Sequence, residues 1–266
     1  MVDSPAIAPA VDRTSIILLG ASNLTRAIST IVETTHQLCG SPLDIYAALG
    51  HGRSYGMTSS VLVRRLPGIL QCGLWDALPQ ASPAPINALI TDIGNDLIYG
   101  ADPELIAEWI EQCLARLASH GADIVLTQLP LQNIEALSPA RYVVLRTVLF
   151  PFCRHDLTTM LRLAHQLDQH VQQLAQEYQT HLVAPQPEWY GIDPIHIKIR
   201  HWSTAWPTIL APWSKAATLP PPAAGSLRRW FYLRTRAPLQ RQILGWPQRH
   251  EQPCGVLPNG SAIHFF

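Results

Sequence analysis

The chain alternates short apolar runs with longer stretches in which apolar positions recur every three or four residues. The runs are TSIILLG (14–20), LDIYAAL (43–49), INALITD (86–92), ADIVLTQ (122–128) and HLVAP (181–185). They are continuous rather than alternating, which predicts strands covered on both faces. Helical patterns follow the first run to about Leu38, extend from Pro103 to about Ser119, and extend from about Leu157 to Gln179. Strands alternating with helices predict right-handed βαβ units. The fold class expected is therefore α/β, with a parallel sheet between two helical layers. The stretch 131–156, with Tyr142, Phe150 and Phe152, reads either as a long loop that sets specificity or, through YVVLRTVLF, as a buried helix.

In such sheets ligands gather beyond the carboxyl ends of the strands. The first strand is followed by Gly20-Ala21-Ser22-Asn23, the second by Gly50-His51-Gly52-Arg53, and the third by Gly94-Asn95-Asp96. Asp193-Pro194-Ile195-His196 follows the fifth. Each has an ordinary reading. Ser22 is a good helix N-cap, the glycines suit a turn, and Asn95 and Asp96 are common turn residues. Each also has a chemical one. A Ser at a strand-to-helix turn exposes its hydroxyl near a helix N-terminus. Gly52 permits close backbone approach, and Asn95 offers amide donors to an oxyanion. An Asp three residues before a His can fix the tautomer that leaves the other ring nitrogen basic. G-x-S-x-G and the phosphate-binding G-x-x-x-x-G-K-[ST] are both absent.

Taken together, Ser22 in GASN, Gly52 in GHGRS, Asn95 in GND, and Asp193 with His196 in DPIH make the sequence similar to the SGNH (GDSL-type) hydrolase superfamily. The likeness covers roughly residues 14–215. It implies a flavodoxin-like three-layer α/β/α sandwich on a five-stranded parallel sheet. It also implies a serine hydrolase that cleaves a carboxylic ester through an acyl-enzyme. Ser22, His196 and Asp193 would form the triad, and Ser22 N–H, Gly52 N–H and the Asn95 side chain the oxyanion hole. No metal or other cofactor is implied. One departure is Ala21, where members typically carry Asp. His51, Arg53 and Tyr99 are candidates for substrate binding because they lie in loops beyond strands. The competing reading is a catalytically silent relative that binds a ligand or partner on the same fold. What separates the two is whether the Ser22, His196 and Asp193 side chains meet.

Charge and composition narrow the partners. Lys and Arg number 19 against 19 Asp and Glu, so the chain has no global charge to attract nucleic acid. No apolar run has the length of a membrane span. The opening MVDSPAIAPAVDR is not read as an export signal, and a cytoplasmic protein is expected. The five cysteines lack a C-x-x-C pair, and the histidines lack metal-ligand spacing. The expected partner is a small-molecule ester, and the oligomeric state is left open. From residue 225 onward, however, six arginines face one acid, Glu251, a net +5 set against −5 for the preceding part. A proline-rich stretch, Leu219–Gly225, divides the two. Residues 216–266 are therefore expected to be a linker and an Arg- and aromatic-rich extension that packs on the 14–215 domain, after a short N-terminal segment, 1–13.

Overall fold

The computed structural model describes residues 13–79, 84–149, 153–214, 216 and 218–266. Nearly all of the N-terminal segment, together with Phe150 and Phe152, lies outside the described residues.

Five parallel strands form the centre: β1 (Ser15–Leu19), β2 (Asp44–Ala48), β5 (Ile86–Ile90), β6 (Asp123–Thr127) and β7 (His181–Val183), in the order β2-β1-β5-β6-β7. Every residue of β1 is buried, and its side chains serve two cores in alternation. Ile17 and Leu19 pack with α4 (Pro103–Ser119) and α7 (Leu157–Glu177). Ile16 and Leu18 pack with α1 (Ser22–Cys39) and α8 (Trp202–Leu210). This period-two division of a continuous apolar run is what a sheet covered on both faces requires. The result is the three-layer α/β/α arrangement.

The helix ends follow local chemistry. Pro103 opens α4, where a missing N–H costs nothing. The Asp156 side chain accepts from the Thr159 N–H at 2.7 Å and caps α7. Shorter helices are α2 (Leu74–Ala77) and α3 (Asn95–Ile98). The stretch 131–156 holds two helices, α5 (Leu131–Glu135) and α6 (Pro139–Leu149).

The C-terminal extension completes the sheet. After α9 (Leu227–Arg234) come β8 (Gln240–Ile243), β9 (Trp246–Arg249), β10 (Gly255–Val256) and β11 (Ala262–Phe265). β11 pairs with β2 in parallel, from Ala262↔Asp44 to Phe265↔Ala47, and β10 lies antiparallel outside it. The five strands thus become part of a seven-stranded sheet. Ile263 and Phe265 are buried in the same core as α1 and α8. A second, four-stranded sheet joins β3 (Ser59–Val61) and β4 (Arg64–Leu66) to β8 and β9. Trp230, Phe231 and Tyr232 sit on α9.

Candidate active site

α1 begins immediately after β1, and Ser22 is its first residue. Its hydroxyl does not cap the helix. The cap comes from across the sheet: the Asp92 carboxylate, just beyond β5, accepts from the N–H groups of Ala21 at 2.9 Å and Asn23 at 3.0 Å. An anion at a helix N-terminus satisfies orphan donors and opposes the helix dipole. Asp92 takes a left-handed backbone to do so, with φ 61°, a conformation that Asp tolerates better than most residues. Ser22 Oγ is thereby left for another partner.

That partner is His196. Its Nε2 lies 2.8 Å from Ser22 Oγ, and its Nδ1 lies 2.5 Å from Asp193 Oδ2. The Asp193 carboxylate also accepts from the Ile195 N–H at 3.1 Å, which closes the DPIH turn. Burial pushes the Asp193 carboxyl up. The hydrogen bond and charge of His196 outweigh it, and the group is held below the usual carboxylate range. An ionised carboxylate on Nδ1 keeps the proton there and leaves Nε2 as the acceptor facing Ser22.

The other positions lie around this line. Gly52 adopts φ 62°, and a Cβ there would stand 2.4 Å from Tyr99 Oη, so glycine is required on both counts. Tyr99 donates from its hydroxyl to the Gly52 carbonyl oxygen at 2.8 Å. The Asp96 carboxylate accepts from the Tyr55 N–H at 2.9 Å. The Gly52 loop is therefore tied twice to the segment that carries Asn95. The Asn95 side-chain amide nitrogen is buried with no hydrogen-bond partner. The N–H groups of Ser22 and Gly52 also have none among the described residues. A buried donor left unspent, as the Asn95 amide is, is unusual in a folded chain. Asp96 is fully buried, and burial pushes its carboxyl up to about 6 against the hydrogen bonds of Ser54 and Tyr55.

His51, Tyr99 and Arg53 part company. His51 is half-buried and Tyr99 is exposed. Arg53 is fully buried, and its guanidinium donates to the carbonyl oxygens of Leu49 and Phe266. That placement does not fit an expectation of substrate contact. It fits a tie between the Gly52 loop and the end of β11.

Two residues beside the triad were not singled out from the sequence. Asn23 donates from Nδ2 to Asp92 Oδ1 at 2.7 Å and to the Ile195 carbonyl oxygen at 2.8 Å. Its Oδ1 accepts from the Ile197 N–H at 2.8 Å. An Asp after a strand is ordinary, so Asp92 carries no local signal of its role. The signal available for Asn23 was its place beside Ser22 in GASN.

A cavity of about 130 Å³ opens from Ser22 and Asn95 toward α5, α6 and α7. Ile93, Leu97, Leu129, Leu137, Tyr142 and Met160 line it. Ile134, Leu145, Arg146 and Cys153 join them from the segments around α5 and α6. Among the described residues, no group of three or more His, Cys, Asp and Glu is placed to hold a metal ion. No helix among them is long and apolar enough to cross a membrane.

No family model matches the chain, and no curated protein matches it. Solved structures with a similar course of chain exist. The native aryl esterase of M. smegmatis is 14% identical, over 74% of this chain and 97% of that one, with a TM-score of 0.49. TesA is 14% identical over 76% and 98%, with a TM-score of 0.46. AlinE4, an SGNH-hydrolase family esterase, is 16% identical over 76% and 94%, with a TM-score of 0.42.

Proposed function

We propose that this chain is a serine hydrolase of the SGNH type that cleaves carboxylic esters. The observation that carries this reading is the single imidazole joined at 2.8 Å to a serine hydroxyl and at 2.5 Å to a carboxylate. Three unspent donors beside it support the same reading.

His196 takes the Ser22 proton at Nε2 as Ser22 Oγ attacks the ester carbonyl carbon. Asp193 stabilises the imidazolium that forms. The carbonyl oxygen gains negative charge and is bound by the N–H groups of Ser22 and Gly52 and the Asn95 amide, each such donor being worth about 10²–10³ in turnover. The tetrahedral intermediate collapses, and His196 gives the proton to the departing alcohol. Water then attacks the acyl-Ser22 ester, with His196 again as base, and the carboxylic acid leaves. The apolar cavity suits the acyl chain.

The test is turnover of p-nitrophenyl butyrate by the wild type and by Ser22→Ala. The expected loss is several orders of magnitude. A variant that keeps more than about a tenth of wild-type turnover contradicts the assignment of Ser22.

A further inference from the structure

Three arginines from three parts of the chain come near Ser22 and the loop that carries His51 and Gly52. Arg26 lies one helical turn beyond Ser22 on α1, hence on the same face. Arg64 is brought in by β4, whose partner β8 belongs to the C-terminal extension (Arg64↔Ile243). Its Nη2 lies 3.4 Å from where a Cβ on Gly50 would stand, so its guanidinium flanks the loop that carries His51 and Gly52. Arg234 ends α9 and lies over the Trp230 ring, 5.6 Å from its centroid. Trp230 Nε1 in turn donates to the Arg26 carbonyl oxygen at 3.0 Å.

None of these cations is neutralised. Arg13–Asp44 and Arg229–Glu33 are the arginine–carboxylate ion pairs among the described residues, and Arg26, Arg64 and Arg234 are in neither. Arg26 and Arg64 are half-buried, where repulsion between like charges is screened less than on open surface. The His51 ring records the local field. Burial, then Arg234, Arg64, His196 and Arg26, push it down to about 4. It is therefore neutral at pH 7 amid arginines. Folding brings these like charges together without an acid, and a bound anion would relieve that cost. Guanidinium groups bind carboxylates and phosphates through paired N–H donors.

We propose that Arg26, Arg64 and Arg234, gathered around His51 by the C-terminal extension, form an anion subsite beside the triad, and that the alcohol half of the ester substrate carries a carboxylate or phosphate. The substrate half of this statement rests on the esterase reading. Neither these three arginines nor His51 lines the cavity, so an acyl chain held there leaves them to the alcohol half.

The test compares three esters of one shape: 3-(butyryloxy)benzamide, which is neutral, 3-(butyryloxy)benzoate, and 3-(butyryloxy)phenyl phosphate. At low salt, kcat/KM for one anionic ester should exceed that for the amide by about tenfold, the worth of one charge-assisted hydrogen bond. The larger ratio identifies carboxylate or phosphate. The ratio should fall as sodium chloride is added and approach one in the Arg64→Gln, Arg234→Gln double variant, whereas Arg162→Gln on α7 should keep it. Because each ratio is internal to one protein, a general loss of activity does not alter it. Ratios near one in both arms of the wild type, or a ratio that survives the double variant, overturn the proposal. If the wild type hydrolyses none of the three esters, the esterase reading fails instead. Calorimetric titration with 3-butoxybenzoate and with inorganic phosphate then decides the subsite. Heat present in the wild type and lost in the double variant upholds it, and absence of heat overturns it.

Discussion

Asn23 holds His196 from both sides. One amide donates to the carbonyl oxygen before the histidine, at Ile195, and accepts from the N–H after it, at Ile197. Asn23 also adjoins Ser22 in the chain, so one side chain sets the spacing between hydroxyl and imidazole.

Asn23→Ala should therefore lower kcat more than it raises KM. A misplacement of about 1 Å costs on the order of 10² in rate, and the lost bonds about 1–3 kcal/mol in stability. Asn23→Asp should melt lower still, because its carboxylate would face Asp92 where an amide now donates at 2.7 Å. Kinetics and thermal melts of the two variants check both statements. Equal kcat in the wild type and Asn23→Ala would remove Asn23 from this role.

The cavity beyond Ser22 predicts a preference for acyl length. Each methylene buried there contributes about 0.8 kcal/mol, or roughly fourfold in kcat/KM. Going from p-nitrophenyl acetate to butyrate should raise kcat/KM by about tenfold or more. Leu137→Trp, which fills the cavity wall, should reverse that order. A flat response to chain length in the wild type would mean that the acyl group lies elsewhere.

Asp96 predicts a pH dependence of stability. Its carboxyl is pushed up to about 6 in the folded chain, against 3.8 ordinarily. Between those values the folded state keeps a proton that the unfolded state has lost. The stability contributed by this group is complete below pH 3.8 and is lost as pH rises through about 6, to a limit of about 3 kcal/mol. Asp96→Asn keeps an acceptor for the Tyr55 N–H but does not titrate. Its melting temperature should gain on that of the wild type between pH 4 and 7. Parallel curves would contradict the burial of an ionisable Asp96.

The parallel core was legible in the sequence because its signals are local. A continuous apolar run such as SIILL, ended by glycine and followed by a 3.6-residue period, describes β1 and α1 without reference to the rest of the chain. Ser22 and Asn95 were legible for the related reason that each follows such a strand, and Asp193 with His196 through the D-x-x-H spacing late in the chain. The β3–β4 hairpin was not. Its strands are three residues long, and its turn includes Leu62 at φ 54° rather than glycine or asparagine. Its other neighbour is β8, paired through Arg64↔Ile243 from far along the chain. Nor does any local pattern say that β11 will join β2, or that a carboxylate at position 92 will cap a helix starting at 22. Arg53 misled because a guanidinium in a glycine loop looks like a ligand contact until the end of β11 is seen to cover it.

The extension should be indispensable to the core. Removing residues after Leu219 deletes β11, strips the edge of β2, and takes Leu233, Leu257, Ile263 and Phe265 out of the core shared with α1 and α8. The truncated chain should melt well below the full one or aggregate. Trp230→Ala should cost more than Arg234→Ala, since exposed charges contribute only about 0–1 kcal/mol. Coincident melts of the full and truncated chains would show a separable arm instead.

On the reading proposed above, Ser22 is a nucleophile activated by His196. Intact-mass analysis after exposure to a fluorophosphonate tests it most directly. One adduct per chain is expected, located on Ser22 by fragmentation, absent in Ser22→Ala and formed far more slowly in His196→Ala. An unlabelled wild type, or a label on any other residue, would contradict it.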